Sequence, residues 1–455
     1  MKRFACLLTA GAAAAGLCLV CAASCGGDAS VPDTGGQPGN VDASPSGGDI
    51  DILPTTDAGP RADIGTPPGM DASPSGDIGT PSGPDAGADT GVAPGPDAST
   101  KADVGAWTPT SRTAACAAPT KAGGDSIPMA SSATPSTALA WNGTEAALVF
   151  NDRLDIKFQR LTQAGRVSGI AVGLGAMTGN NAADVAVGDG GSGAFVACFD
   201  QAASPNTLIC GAIDAAGKLT AGLAVSGSMP ALAAGPGGLV LVYSTATDLV
   251  AQKLDSKAAA VGTPVKVGSA VKITTAIAAT PGGYAVAADT GGNTPALKVY
   301  RLKPDLSANG SAVDVAGWSK NRVGIAATGE KLALIWGDDT VSGKPQVSSV
   351  TIDAANVVGA KQKVDAVSAQ FTYGRVDAVG GTDSFALVWS ANEANIEYRA
   401  LDLAGAPQGS PLAAIPTGWD DNPCSIVAVS DGFLLAAGLG FMGTPSVSLM
   451  HLGCP

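Results

Sequence analysis

Seven glycines, Gly143, Gly191, Gly238, Gly283, Gly329, Gly381 and Gly432, each separate two short apolar runs, and they recur every 45–52 residues. A unit of that length cannot bury its own faces, so its copies must stack on one another. The units share an internal order. A small apolar run leads into the glycine turn (137–141, 185–187, 231–234, 276–279, 323–327, 376–379, 426–429). A second run follows and ends in an aromatic four times, at Phe150, Tyr243, Trp336 and Trp389. Next comes an alternating segment such as "DIKFQRL" (155–161), "LICGAID" (208–214) or "NIEYRALD" (395–402). A second turn, as in Asp214-Ala215-Ala216-Gly217, precedes a more variable fourth segment.

Runs of 4–8 residues, period-2 alternation and Gly/Asp turns predict antiparallel meanders. Four strands per unit of about 50 residues predict an all-β, seven-bladed β-propeller. The inner strand crowds the axis, which accounts for its Ala and Gly, and the aromatics read as blade-to-blade packing. The seventh unit stops after its third strand, at Leu452-Gly453-Cys454-Pro455. Its fourth strand is therefore expected from the start of the domain, at 121–131, so that both termini share the closing blade. Beyond the leader six cysteines remain: Cys25, Cys116, Cys198, Cys210, Cys424 and Cys454. Shared closure brings Cys116 beside Cys454, and facing strands bring Cys198 to Cys210. Two disulfides are expected, with Cys424 a free buried thiol and Cys424–Cys454 the competing pairing.

The propeller region is expected at 107–455. Residues 1–24 read as a signal peptide: Lys2 and Arg3 precede an apolar core that ends in small residues. The run "AASCGG" (22–27) resembles a bacterial lipobox, which implies lipid attachment at Cys25 and a membrane-anchored protein facing periplasm or cell surface. Plain secretion and an uncleaved anchor helix are the alternatives. Residues 26–106 repeat phrases such as "DASPSG" and "DIGTP", lack Phe, Trp and Tyr, and hold 13 Asp against Arg61 and Lys101. Too little apolar area is present to offset the ordering entropy, so 25–106 reads as a lipidated cysteine followed by a disordered linker. The repeat itself resembles the degenerate propeller repeats of bacterial surface lipoproteins, best at 138–165 and next at 377–405. That likeness implies a fold, without an activity.

Net charge is −13 over 455 residues, with 14% charged. The region after 106 carries only −4 (26 acids, 22 bases), so nucleic acid is an unexpected partner. His451 is the one histidine and reads as a surface or packing residue, so Ser/His/Asp and Cys/His triads are not expected. Neither "GDGGSG" (188–193) nor "GDDTVSG" (337–343) holds enough alternating Asp for calcium, and no zinc cluster exists. No metal or cofactor is expected. Carboxylate-pair chemistry survives on composition, with Glu145, Glu330, Glu393 and Glu397 the region's glutamates; the first two read as solvated turn residues. Three consecutive inter-unit loops carry aromatics beside polar groups: "GWSKNR" (317–322), "QFTYGR" (370–375) and "GWDDN" (418–422). Trp318, Phe371, Tyr373 and Trp419, with Asn321, Asp420 and Asp421, are the candidate recognition residues; padding between blades is the competing reading. The expectation is a monomeric, non-catalytic envelope protein that binds a protein or glycan. A carboxylate-dependent glycan-processing enzyme and a ligand-free structural component are the alternatives.

Overall fold

The second strand of each unit is walled in by neighbours on both sides, so it is apolar on both faces. Ala146–Asp152 and Gly283–Asp289 are buried along their whole length. The outermost strands show the opposite: Val167–Ala176 is mostly exposed. Burial that falls from the second strand outward is why the sequence passes from a solid apolar run to alternation and then to polar residues.

The computed structural model describes residues 114–454, except 131–135, 153–154, 177–183, 202–205, 270–274, 290–296, 316–318, 339–345, 367–375, 392–394, 418–422 and 440–444. The described strands form seven sheets. Short strands β1 (Thr120–Gly123) and β2 (Ser126–Pro128) open the region. Blade 1 is β3 (Thr137–Trp141), β4 (Ala146–Asp152), β5 (Asp155–Leu161) and β6 (Val167–Ala176). Blade 2 is β7 (Val185–Gly191), β8 (Ala194–Asp200), β9 (Thr207–Ile213) and β10 (Leu219–Ser226). Blade 3 is β11 (Ser228–Gly235), β12 (Gly238–Ser244), β13 (Asp248–Leu254) and β14 (Ala260–Ser269). Blade 4 is β15 (Thr275–Thr280), β16 (Gly283–Asp289), β17 (Leu297–Leu302) and β18 (Val313–Val315). Blade 5 is β19 (Ser319–Thr328), β20 (Lys331–Asp338), β21 (Gln346–Ile352) and β22 (Gln362–Ala366). Blade 6 is β23 (Val376–Gly380), β24 (Ser384–Ala391), β25 (Asn395–Asp402) and β26 (Pro407–Pro416). Blade 7 is β27 (Cys424–Val429), β28 (Gly432–Leu439) and β29 (Ser446–Gly453).

Both β1 and β2 pair antiparallel with β29, so the fourth strand of blade 7 comes from the start of the region. It is broken in two where the expectation was one run. The backbone turns at Gly124, where a Cβ would lie 2.1 Å from the Leu449 carbonyl oxygen, so only glycine fits. Inner strands meet in sequence from β3 to β27, and β27 meets β3, which closes the ring. Seven buried apolar clusters fill the seven seams. Phe150 packs in seam 7–1, Tyr243 in seam 2–3, Trp336 in seam 4–5 and Trp389 in seam 5–6. The architecture is therefore an all-β propeller of seven four-stranded blades.

Cys116 and Cys454 are bonded, with Cα atoms 5.8 Å apart and 338 residues between them in sequence. Cys198 and Cys210 are bonded across directly opposed positions of β8 and β9, 12 residues apart. Cys424 is buried and free of any disulfide. Chain-entropy arithmetic gives about 6 kcal/mol for the long closure and about 3 kcal/mol for the short one. Replacing Cys116 and Cys454 together by Ser should thus lower the urea midpoint more than replacing Cys198 and Cys210. Equal or reversed losses in equilibrium unfolding would contradict a clasp role for the first bridge.

Candidate functional site

Alternating strand direction sends every first-to-second and third-to-fourth turn to one face, here the turn face. Second-to-third and blade-to-blade connections emerge on the other, the loop face. The two faces are built differently.

On the turn face one hairpin is reused. Asp214, Asp255, Asp353 and Asp402 each accept two backbone N–H groups through Oδ1, from the residues two and four positions on, at 2.8–2.9 Å. These are Asx turns, in which a short side chain replaces a backbone acceptor. The residue three positions after each Asp takes a left-handed conformation: Gly217, Ala258, Asn356 and Gly405. Two of the four are not glycine, and each has a compensating contact. Ala258 is fully buried in the apolar cluster of seam 2–3, and Asn356 Oδ1 accepts the Arg301 Nε–H at 2.8 Å.

Arginines on third strands fasten neighbouring blades here. Arg301 of blade 4 donates to the Asp353 carbonyl at 2.8 Å and the Glu330 carbonyl at 2.9 Å, both in blade 5. The Glu330 carboxylate accepts the Gly282 N–H at 2.5 Å. In blade 1, Arg160 pairs with Glu145, donates to the Asp214 carbonyl of blade 2, and lies over the Phe158 and Phe195 rings. Glu145 and Glu330 are the turn residues expected, half-buried and each ion-paired to an arginine as well. The partners lie 15 and 29 residues away, which local sequence cannot reveal. His451 is buried on β29, with Nε2 3.0 Å from Asp431 Oδ1.

Down the axis runs a channel whose two halves hold about 250 and 220 Å³. Leu139, Val187, Leu232, Ile277, Ile325 and Ala378 line both halves. Inner strands pair on one edge only, so their other edges turn backbone N–H and C=O groups to the axis. Asp377 Oδ2 takes up one of these, the Ile426 N–H of the next blade, at 3.0 Å. Asp189 and Asp377 are the charged residues among the described lining, and Cys424 lines the half nearer the loop face. Among the described residues no group of three His, Cys, Asp or Glu could hold a metal.

Toward the loop face, four second strands end on a buried aspartate: Asp152, Asp200, Asp289 and Asp338. Two of these acids, Asp152 and Asp200, pin the chain where it crosses between blades. Asp152 accepts the Ala130 N–H at 2.9 Å, and Asp200 accepts the Asp184 N–H at 3.0 Å. Asp338 accepts from Ser348 Oγ and Lys361 Nζ, each at 2.7 Å. The signal was present in "FND", "CFD", "AAD" and "WGD", which end the corresponding apolar runs.

Of the candidate recognition residues, Asn321 belongs to β19, whose backbone is described there. Trp318, Phe371, Tyr373, Trp419, Asp420 and Asp421 lie outside the described residues, as do Glu393 and Cys25. The described strands that flank 316–318, 367–375 and 418–422 have their adjoining ends on the loop face of consecutive blades 4 to 7.

A carboxyl pair escaped the sequence reading. Glu397 of β25 and Asp365 of β22, 32 residues earlier and in the neighbouring blade, meet across the seam: Asp365 opposes Val347 and Glu397 opposes Trp389, both members of that seam's apolar cluster. Burial, then the Asp365 charge and hydrogen bond, push the Glu397 carboxyl up to about 7, against the opposing Arg399 charge.

No family model and no curated protein matches the sequence. Solved structures share the fold. The β-propeller domain of the Trilobed protease from Pyrococcus furiosus is 8% identical with a TM-score of 0.41, over 70% of this chain and 96% of its own. The WD40 domain of Toxoplasma gondii coronin is 10% identical with a TM-score of 0.46, over 76% and 87%. An α-L-arabinofuranosidase from Clostridium thermocellum is 12% identical with a TM-score of 0.33, over 52% and 95%. At these identities the likenesses decide nothing about activity.

Burial raises the Asp200 carboxyl to about 6, although the Met229 N–H opposes it. The folded state therefore holds this proton more tightly than the unfolded chain does. The contribution is full below about pH 4 and is lost as pH rises through about 6. Asp200→Asn keeps the acceptor and removes the charge. The variant should gain about 1–3 kcal/mol over wild type above pH 6.5 and nothing at pH 4, read from urea midpoints across pH. A pH-independent difference would contradict this assignment.

Proposed function

We propose that this chain is an exported, lipid-anchored envelope protein that binds a protein or glycan through its loop face without catalysing a reaction. The observation that carries this reading is the contrast between the two faces. The turn face repeats one hairpin and holds the clasp where residue 114 leads into the ring. The loop face bears connections that differ from blade to blade, three of them with aromatics beside polar groups. Variation on a fixed ring is how a scaffold serves recognition. The two disulfides accord with an oxidising compartment, as export through the leader and lipid attachment at Cys25 would require.

A carboxylate-dependent glycan enzyme is the competing reading. Glycosidase carboxyls stand about 5–9.5 Å apart across a substrate. Glu397 and Asp365 are instead in contact, a spacing that does not fit this chemistry.

Glycan-array and envelope pull-down binding by residues 107–455 should fall about tenfold or more in Trp318→Ala and Trp419→Ala, with thermal unfolding unchanged. Undiminished binding would remove this patch from consideration. Turnover of a polysaccharide that is abolished by one Asp or Glu substitution would replace the reading with the enzymatic one.

A further inference from the structure

Seam 5–6 differs from an ordinary apolar seam at its loop-face end. Asp365 is the penultimate residue of β22, and Glu397 is the third residue of β25. Glu397 sits directly opposite Trp389 of β24, and Trp389 faces blade 5 within the seam's apolar cluster. Three buried polar atoms here lack a partner among the described residues: Glu397 Oε2, Trp389 Nε1 and Ser349 Oγ. Ser349 opposes Ile335, a member of the same cluster, so its hydroxyl faces blade 6.

The charged groups of the described seam are Glu397, Asp365 and Arg399; Lys363, on the same strand as Asp365, is exposed. Arg399 does not neutralise the acids by pairing. Its Nε–H and Nη2–H donate to the Gly409 carbonyl at 3.1 and 2.6 Å, and its Nη1–H donates to the Val364 carbonyl. Two carboxyls in hydrogen-bond contact need a proton between them, because two carboxylates would present only acceptors and repel.

We propose that seam 5–6 is a proton-controlled joint: one proton shared by Glu397 and Asp365 holds blades 5 and 6 together, and its loss loosens the loop-face end of that seam. The bond that breaks is the O–H···O link between the carboxyls, and the proton leaves to solvent. With it gone, two negative charges face each other across the seam, and the unpartnered Trp389 Nε1–H and Ser349 Oγ–H would have to move to reach them. Strands β22 and β26, which pack across the seam, then open more readily. The joint stands whatever the loop face binds. If the proposed recognition function is right, the joint would make that binding depend on pH near neutrality.

Amide hydrogen exchange across pH 5.5–8.5, corrected for intrinsic rates, tests this on the full chain. Protection of β22 and β26 should fall as pH rises, by up to about tenfold per pH unit above the transition, the slope of one-proton linkage. Strands β12 and β13 of blade 3 should show no such trend. Glu397→Gln, whose amide can donate to a charged Asp365, should hold β22 and β26 protected at every pH. Asp365→Asn should do the same and serves if the first variant fails to fold. Flat protection in the wild type, or an unchanged pH trend in both variants, would overturn the joint. Because exchange is read without a ligand, that failure is distinguishable from failure of the recognition reading.

Discussion

Every blade depends on its neighbours to cover it. A four-stranded sheet with apolar residues on both faces has no stable existence alone, and its second strand is the extreme case. In β4 and β16 no residue is exposed, because each is sandwiched between adjoining blades. Seven such sheets satisfy one another only as a closed circle, so the joint between first and last blade limits the whole. That joint is secured three ways. Strands β1 and β2 complete the sheet of blade 7, and Cys116–Cys454 ties its turn-face end. Residues before β1 then reach to blade 6, where the Ala115 N–H donates to Ser384 Oγ and Tyr398 donates its hydroxyl to the Cys116 carbonyl.

Twisting sheets in a ring leave backbone groups unpaired, and buried polar side chains take them up. Third and fourth strands slip out of register beside Gln159, Gln252 and Arg399. At each slip the side chain donates to carbonyls that the ladder no longer uses. Gln159 reaches the Ser168 oxygen at 3.0 Å, Gln252 the Val261 oxygen at 3.1 Å, and Arg399 the Gly409 oxygen. The bulges also twist the outer edges, which discourages edge-to-edge association of a fold with seven exposed rims. Gly169 and Gly262 supply the left-handed backbone that two of these bulges need.

What could be read from the sequence was whatever repeats or lies close along the chain. The seven glycine turns carried the blade number, and Cys198 and Cys210 could be paired because one hairpin joins them. Cys116 and Cys454 followed from the unfinished seventh unit. What could not be read depends on which face of a strand meets the next blade. Glu330 reads only as a turn residue until blade 4 places Arg301 beside it. Glu397 and Asp365 belong to different units, and no local pattern hints that they meet. The buried aspartates were visible but went unweighed, because an acid after an apolar run also suits a solvated loop.

The same geometry separates stability from adaptability. Changes on the turn face disturb hairpins that both end a strand and fasten a neighbour, as Asp353 and Asp214 do by offering carbonyls to Arg301 and Arg160. Changes on the loop face fall beyond aspartates such as Asp152 and Asp200, which anchor the backbone before the connections begin. A loop can therefore lengthen or alter its side chains while the strands that carry it stay in register. The seam between blades 5 and 6 differs, since there two acids, Glu397 and Asp365, face each other. Sensitivity to protons is thus expected at two places, where burial alone raises an acid, as at Asp200, and where a second acid adds to it, as at Glu397.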